Sequence, residues 1–213
     1  MKEVYIHVGL PRTATTFLQN EVFPKLKLNY LLYLPLKGNI VDGKNLISDE
    51  SLAGYSYIIG SNNASNKDIA KRLHDLYPKA KIIVVFREKN KWLKSFYKQF
   101  LVESERRKLV KNYEDWYAKV YGDKFLEFKE YENYLKELFD DVLVLHFEEF
   151  KKEHKKFVKN ICDFIGVKVP EYKIKKVNIS FSEKHYRFLR FCDKFPFDHL
   201  SNLADGIFRK ILK

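Results

Sequence analysis

Cysteine is nearly absent from this chain: its 213 residues hold two, Cys162 and Cys192, without C-x-x-C spacing. That excludes a disulfide-stapled scaffold and reads as structural thiols. Long apolar runs are missing as well. Nothing approaches the ~20 residues of a spanning helix, and the amino terminus enters an apolar strand within a few residues, with no room for a signal peptide. A cytoplasmic location is the expectation, with peripheral contact to a membrane left open. His74, His146, His154, His185 and His199 lack a close ligand pairing, so no metal is expected. There is no internal repeat and no low-complexity tract. Acidic charge is the scarcer sign: 28 Asp plus Glu face 40 Lys plus Arg, a net +12. The excess favours an anionic partner, and nothing in it specifies nucleic acid.

With 46% hydrophobic residues the chain is not disordered, and one domain over 1–213 is expected. Strands are expected at 4–8, 30–33, 55–60, 81–86 and 142–146. Helices are expected at 15–23, 66–77, 90–103, 113–120, 125–138, 151–165 and 182–194. The helix after Ser65 carries a capping signal, Ser65-x-x-Asp68. Strands alternating with helices predict an α/β, P-loop-like, three-layer fold with a mostly parallel central sheet flanked by helices. The densest basic patch, Arg106-Arg107-Lys108 with Lys111 nearby, reads as a solvated helix end within a mobile connection at 103–112. Residues 203–213 read as an amphipathic terminal helix, packed or resting on a membrane. Trp92 and Trp116 read as packing residues.

The most informative segment runs from Val4 to Phe17. Val4, Ile6 and Val8 form a short β-branched strand that Gly9 and Pro11 end. Hydroxyl residues Thr13, Thr15 and Thr16 then open a helix. A helix start presents unpaired backbone N–H groups and the positive end of a dipole, a seat for phosphate. A Walker A loop would read G-x-x-x-x-G-K-[ST], but Ala14 and Thr15 stand where Gly and Lys belong, and the cation is upstream at Arg12. The lysine that an NTP-hydrolysing loop sends to the terminal phosphates is missing.

A second signal lies at Lys81-Ile82-Ile83-Val84-Val85-Phe86-Arg87. The continuous apolar run reads as a central parallel strand, which puts Arg87 at a strand's carboxyl end, where open α/β sheets bind ligands. Ser95 follows about two helical turns on, at a spacing that lets it share a phosphate with Arg87.

Together these motifs resemble the sulfotransferases that use 3′-phosphoadenosine 5′-phosphosulfate, PAPS. The loop resembles their Pro-[Lys or Arg]-[Ser or Thr]-Gly-Thr-Thr 5′-phosphosulfate site, with Ala14 in place of the usual glycine. The Arg87 and Ser95 pair resembles their 3′-phosphate site. Weaker similarity runs through Leu46–Leu52, like a Ser-Ser-Glu-x-Leu stretch of bacterial and carbohydrate enzymes, through Val142–Phe150 and Phe164-Ile165-Gly166, and through Val177-Asn178-Ile179-Ser180. The resemblance implies PAPS as donor, PAP as product, and a hydroxyl acceptor, a small molecule or a carbohydrate or glycan precursor. It implies that Arg12, Thr13, Ala14, Thr15 and Thr16 hold the phosphosulfate, that Phe17 lies against adenine, and that Ser180 closes over the nucleotide. Ser180 serves equally well as a helix N-cap. Arg12, always protonated, would act as an electrostatic clamp.

The base is Glu50 by the same resemblance, with Asp49 beside it and His7 as the alternative. A histidine inside a strand is more often a core residue. Two other classes stay open: a P-loop kinase using magnesium ATP, and a non-enzymatic basic module for nucleic acid or membrane.

Overall fold

The computed structural model describes residues 1–33, 39–54, 65–102, 104–121, 127–174 and 183–192. Its centre is a five-stranded sheet of β1 (Lys2–Val8), β2 (Asn29–Leu32), β3 (Gly43–Asp49), β4 (Lys81–Phe86) and β5 (Val142–His146). The strand order is β2-β3-β1-β4-β5 and every pairing is parallel. The connection after β1 leads to one side of that strand and the connection after β3 crosses to the other. The carboxyl ends of β1 and β4 therefore form the crevice in which a doubly wound sheet binds ligands.

Side chains alternate across the sheet. Tyr5, Leu46, Ile83, Val85 and Leu145 pack with Phe17, Leu18, Phe157, Val158, Ile161 and Ile165 in the main core. These come from α1 (Thr15–Phe17), its continuation as a π-helical turn over Leu18–Val22, and α7 (Phe147–Ile165). On the opposite face Phe86 meets Phe128 and Tyr131, at ring distances of 5.2 and 6.4 Å. Those two belong to α6 (Phe128–Leu138), which packs with α2 (Asn66–Leu76). Helices thus cover both faces, as a buried parallel sheet requires. Lys44 locks the end of α7, its Nζ donating to the carbonyls of Ile165 and Gly166, both at 2.7 Å. A cation there suits the negative end of the helix.

The chain groups into two compact units. The first takes Met1–Ser56, Asn62–Lys89 and Asp123–Lys175, and so holds the sheet; the second takes Tyr57–Ser61, Asn90–Gly122 and Lys176–Lys213. The second contains most of α3 (Lys89–Phe100), then α4 (Ser104–Lys108), α5 (Tyr113–Trp116) and α8 (Glu183–Cys192). Its core is aromatic: Trp92 stacks on Phe96 at 5.2 Å and Trp116 meets Phe96 edge-on at 5.5 Å.

Two expectations need correction. β3 is a strand that the sequence pattern does not announce, because Gly43–Asp49 has only Leu46 and Ile47 as apolar residues while Asn45, Ser48 and Asp49 are buried polar groups. Asn45 is fully hydrogen-bonded: its Nδ2 donates to the carbonyls of Val41, Gly43 and Glu3, and its Oδ1 accepts from Asn29 and from Val41 N. Arg107 departs from the expected solvated helix end, while Lys108 and Lys111 beside it are exposed as expected. Arg107 is buried and donates to the carbonyls of Leu101 and Val102 at 2.8 and 3.0 Å, satisfying backbone groups just past the end of α3. The expected strand at 55–60, Ser180 and the helix at 203–213 lie outside the described residues.

Candidate active site

Three loops converge at the carboxyl ends of β1, β3 and β4, and Gly9 explains how two of them come so close. Its N–H donates to Asp49 O at 3.2 Å. A Cβ at Gly9 would stand 2.9 Å from Thr15 Cγ2, 3.1 Å from Glu50 Cα and 3.2 Å from Asp49 O. Only glycine lets the loop after β1 lie against the turn that carries Glu50.

Past Gly9 the backbone is bent hard. Arg12 and Ala14 both have φ of 67°, and Ala14, with ψ of 11°, is the left-handed residue from which α1 starts. The methyl group at Ala14 is thus carried in the conformation that glycine favours. The loop is braced from inside, with Thr13 and Thr15 donating their hydroxyls to Leu10 O at 2.7 and 2.9 Å. Both residues are buried, so their hydroxyl protons serve the loop, and what they offer a phosphate is backbone N–H. No side chain caps α1. Phe17 is buried too, its ring packed on Phe150 at 5.1 Å and Tyr172 at 5.6 Å. It works as core.

Arg87, just past β4, reaches back to this loop and donates Nη1–H to Arg12 O at 3.2 Å, while its guanidinium lies 4.8 Å over the Phe147 ring. Its Nε is buried with no partner among the described residues. Burial, and then the charge of Arg12, pulls its pKa down, against the pull of Glu148 and Glu88. It stays a cation at any ordinary pH. Two guanidinium groups close enough to repel, one with an orphaned N–H, beside an uncapped helix start, form a site short of an anion.

Glu50 opens a 3-10 turn, Glu50–Ala53, after β3. Burial raises its pKa most, and Asp49 adds to the rise, while Arg12 and a hydrogen bond from Thr16 hold it down. Asp49 serves the backbone instead. Its Oδ1 accepts from Ser51 N at 2.8 Å and Ser51 Oγ at 2.7 Å, capping the turn. His7 is fully buried, with Nδ1 2.8 Å from Ser48 Oγ and its ring edge-on to Phe23 at 5.2 Å. Burial pushes its pKa down to about 3, so it is neutral in the core.

The structure therefore gathers Arg12, Thr16, Glu50 and Arg87, with the backbone of Thr13, Ala14 and Thr15. Ser95 is half-buried on α3 in the other unit. Gly9, which ends the first strand and stands at the first glycine of the compared Walker pattern, is fixed by close packing: it lies directly after β1 and six residues before Thr15, whose methyl would crowd a Cβ there.

The sequence model of the sulfotransferase family matches residues 44–171, from β3 to just beyond α7. The chain belongs to the sulfotransferase family. Such an enzyme draws its sulfonate from PAPS, and membership sets aside the kinase and the non-enzymatic module. The phosphate loop at 9–17 precedes the matched stretch, but solved sulfotransferase structures share the fold that carries it. One, a sulfotransferase from Alicyclobacillus acidocaldarius, superposes with a TM-score of 0.54 at 14% identity, covering 90% of this chain and 91% of that one. Another, mouse sulfotransferase SULT7A1 complexed with PAP, gives 0.53 at 16% identity, over 80% of this chain and 61% of that one. No curated protein sequence matches the chain. Among the described residues no helix is long and apolar enough to cross a membrane, and no group of three His, Cys, Asp or Glu is placed to hold a metal ion.

Proposed function

We propose that this sulfotransferase binds PAPS at the loop after β1 and moves its sulfonate to a hydroxyl of a carbohydrate or glycan precursor, with Glu50 as the base. The observation that carries the reading is the Arg12 and Arg87 pair, whose mutual repulsion and orphaned Arg87 Nε ask for a polyanion at an uncapped helix start. PAPS, when bound, supplies an activated sulfonate on a 5′-phosphate. Arg12 and the N–H groups of the first turn stabilise the charge that gathers on that phosphate as the S–O bond to it breaks. Glu50 takes the acceptor's hydroxyl proton as the acceptor oxygen bonds to sulfur, and its raised pKa brings it toward operating pH, where a base works best. Thr16, donating to Glu50, fixes the carboxylate's orientation. Arg87, with Ser95, is assigned to the 3′-phosphate. The saccharide acceptor is supported by the Leu46–Leu52 similarity alone, and the absence of a described spanning helix is compatible with a cytoplasmic enzyme.

The test compares thermal stabilisation by PAP, AMP and magnesium ATP, in wild type and Arg87→Ala. PAP raises the melting temperature most in wild type, and the variant loses about 10- to 100-fold in PAP affinity while its weak response to AMP persists. An equal response to PAP and AMP in wild type overturns the 3′-phosphate assignment.

A further inference from the structure

Three non-glycine residues have positive φ among the described residues: Arg12 and Ala14, both at 67°, and Tyr33, at 75°. The first two shape the loop after β1. Tyr33 directly follows β2, and its N–H donates to Ser48 O at 3.0 Å, so β2 stays bonded to β3 up to the residue where the chain turns left-handed. A turn by itself asks for glycine or asparagine at such a residue. A bulky aromatic there is an outlier, and outliers of this kind gather at functional sites. The side chain also stands in water. Tyr33 is 63% exposed, the one exposed tyrosine among those whose burial is described, and Leu32 beside it is 44% exposed.

Strand order places this ring with respect to the chemistry. Along the carboxyl edge of the sheet, the order β2-β3-β1-β4 sets Tyr33, the Glu50 turn, the loop with Arg12, and Arg87 in a row, all within the first unit. The strand ends are nearly level, since Leu32 pairs with Ser48, and Val8 pairs with Asp49 and with Val84. The end of β2 is therefore about one strand spacing, ~4.8 Å, from the end of β3. Sulfonate transfer, like phosphoryl transfer, is a displacement with attacking and leaving oxygens roughly in line. The leaving phosphate belongs to the loop after β1 and the base to the end of β3. Continued past the base, the same line runs over the end of β2. The acceptor brings one hydroxyl to Glu50, and the rest of it extends to the side where Tyr33 stands.

We propose that Tyr33 is an acceptor-binding residue, its ring the platform on which a pyranose ring of the acceptor lies. One face of a pyranose is made of C–H groups, apolar and slightly positive, and suits the negative face of the phenol ring while the sugar hydroxyls stay in water. The proposal rests on the reading of Arg12 and Arg87 as the donor's seat and Glu50 as the base, and adds the residue that selects a ring-bearing acceptor.

The experiment titrates cellohexaose, maltohexaose, xylohexaose and chitohexaose, and sorbitol as a polyol without a ring, into the PAP-saturated protein by NMR, with PAP affinity measured separately by calorimetry. The proteins are wild type, Tyr33→Gly, Tyr33→Phe and a control, Leu76→Ala, which trims a side chain 54% exposed at the end of α2 in the same unit. Glycine removes the ring and suits the left-handed backbone, so Tyr33→Gly is expected to fold. Wild type should bind at least one hexasaccharide and not sorbitol. Tyr33→Gly should lose about tenfold in that affinity, whereas Tyr33→Phe and the control should stay within about twofold of wild type. PAP affinity should be the same in all four proteins. Wild-type indifference between sugars and sorbitol, or binding to none of the hexasaccharides, overturns the proposal. So does undiminished sugar affinity in Tyr33→Gly, and a loss in Tyr33→Phe as large as in Tyr33→Gly overturns it by assigning the effect to the hydroxyl. Parallel loss of PAP and sugar in Tyr33→Gly overturns it by giving the ring to the nucleotide. Failure of wild type to bind PAP is a distinct result: it removes the donor reading, and this inference falls with it, whereas every other failure leaves the donor reading standing.

Discussion

Helices α1 and α2 begin in opposite ways within one unit. At α2, Ser65 Oγ accepts from Asp68 N at 3.1 Å and Asp68 accepts in return from Ser65 N, also at 3.1 Å. Similar reach-back bonds start α6, where Glu130 accepts from Glu127 N, and α7, where Glu149 accepts from His146 N. At α1 the entering residue is a left-handed alanine, no side chain caps the turn, and the nearby threonine hydroxyls point at Leu10 O instead. Where a helix serves only the fold, its own chain satisfies its start. At α1 the loop is braced from behind by the Thr13 and Thr15 hydroxyls and no side chain takes up the N–H groups of the first turn, which is what the proposed phosphate seat requires.

Glu50 gives the sharpest way to break that contrast, since it stands against the uncapped start. Glu50→Gln is expected to lower kcat by about 10²- to 10⁴-fold while leaving PAP affinity near normal, read by single-turnover kinetics and calorimetry. The wild-type rate should fall on the acid side through a pKa above the ordinary glutamate value, because ionised Glu50 is the working form. Stability moves in the opposite sense. Below the ordinary value Glu50 is protonated in folded and unfolded chains alike and contributes no difference. As pH rises through its raised folded pKa, the unfolded chain releases the proton more readily, and the folded state loses stability. Glu50→Gln should therefore be more stable than wild type at neutral pH, with the gap closing toward low pH in urea titrations. A Gln variant that keeps full turnover removes Glu50 as the base.

At the other helix the expectation reverses. Ser65→Ala removes a cap whose bonds go only to its own helix start and should cost about 1 kcal/mol, a fall of roughly 2–4 °C in melting temperature. Turnover and PAP affinity should stay at wild-type values. A drop in kcat larger than the loss of folded protein would show that the α2 start also serves the site.

The capping box at Ser65 is legible in the sequence because its signal is local: a serine, an acid three residues on, then apolar residues at helical spacing. β4 and β5 are equally plain, Lys81–Phe86 and Val142–His146 being bounded apolar runs. β3 is hidden because what makes it a strand is non-local. Asn45 and Ser48 can be buried only because β1 and β2 lie beside them and Asn29, Gln19 and His7 supply partners. α7 begins at Phe147, four residues before the expected start, because Glu149 reaches back to His146 N across a stretch whose pattern also suits a strand end. In the site, Arg12 and Arg87 are readable from strand-end position. The division of labour between Asp49 and Glu50 is not, for two adjacent acids look alike until one is seen capping a turn. Likewise Thr15 and Phe17 carry the right residue types for a ligand, yet their side chains point into the loop and the core.

Ala14 offers the smallest effect and the finest test of the comparison. Its φ of 67° places an L side chain in the left-handed region, at a cost of roughly 1–2 kcal/mol. Replacing it by glycine removes that cost but gives the unfolded chain more freedom, worth about 0.5–1 kcal/mol against folding. The net expectation for Ala14→Gly is a gain of about 0.5 kcal/mol, or roughly 1–2 °C in melting temperature, with PAP affinity unchanged because the loop already holds the glycine-like conformation. The alanine methyl also packs against the main core. A Gly variant that melts lower would mean that this packing outweighs the backbone strain, and that the uncapped start of α1 is stabilised from beneath, where α2 is stabilised from its end.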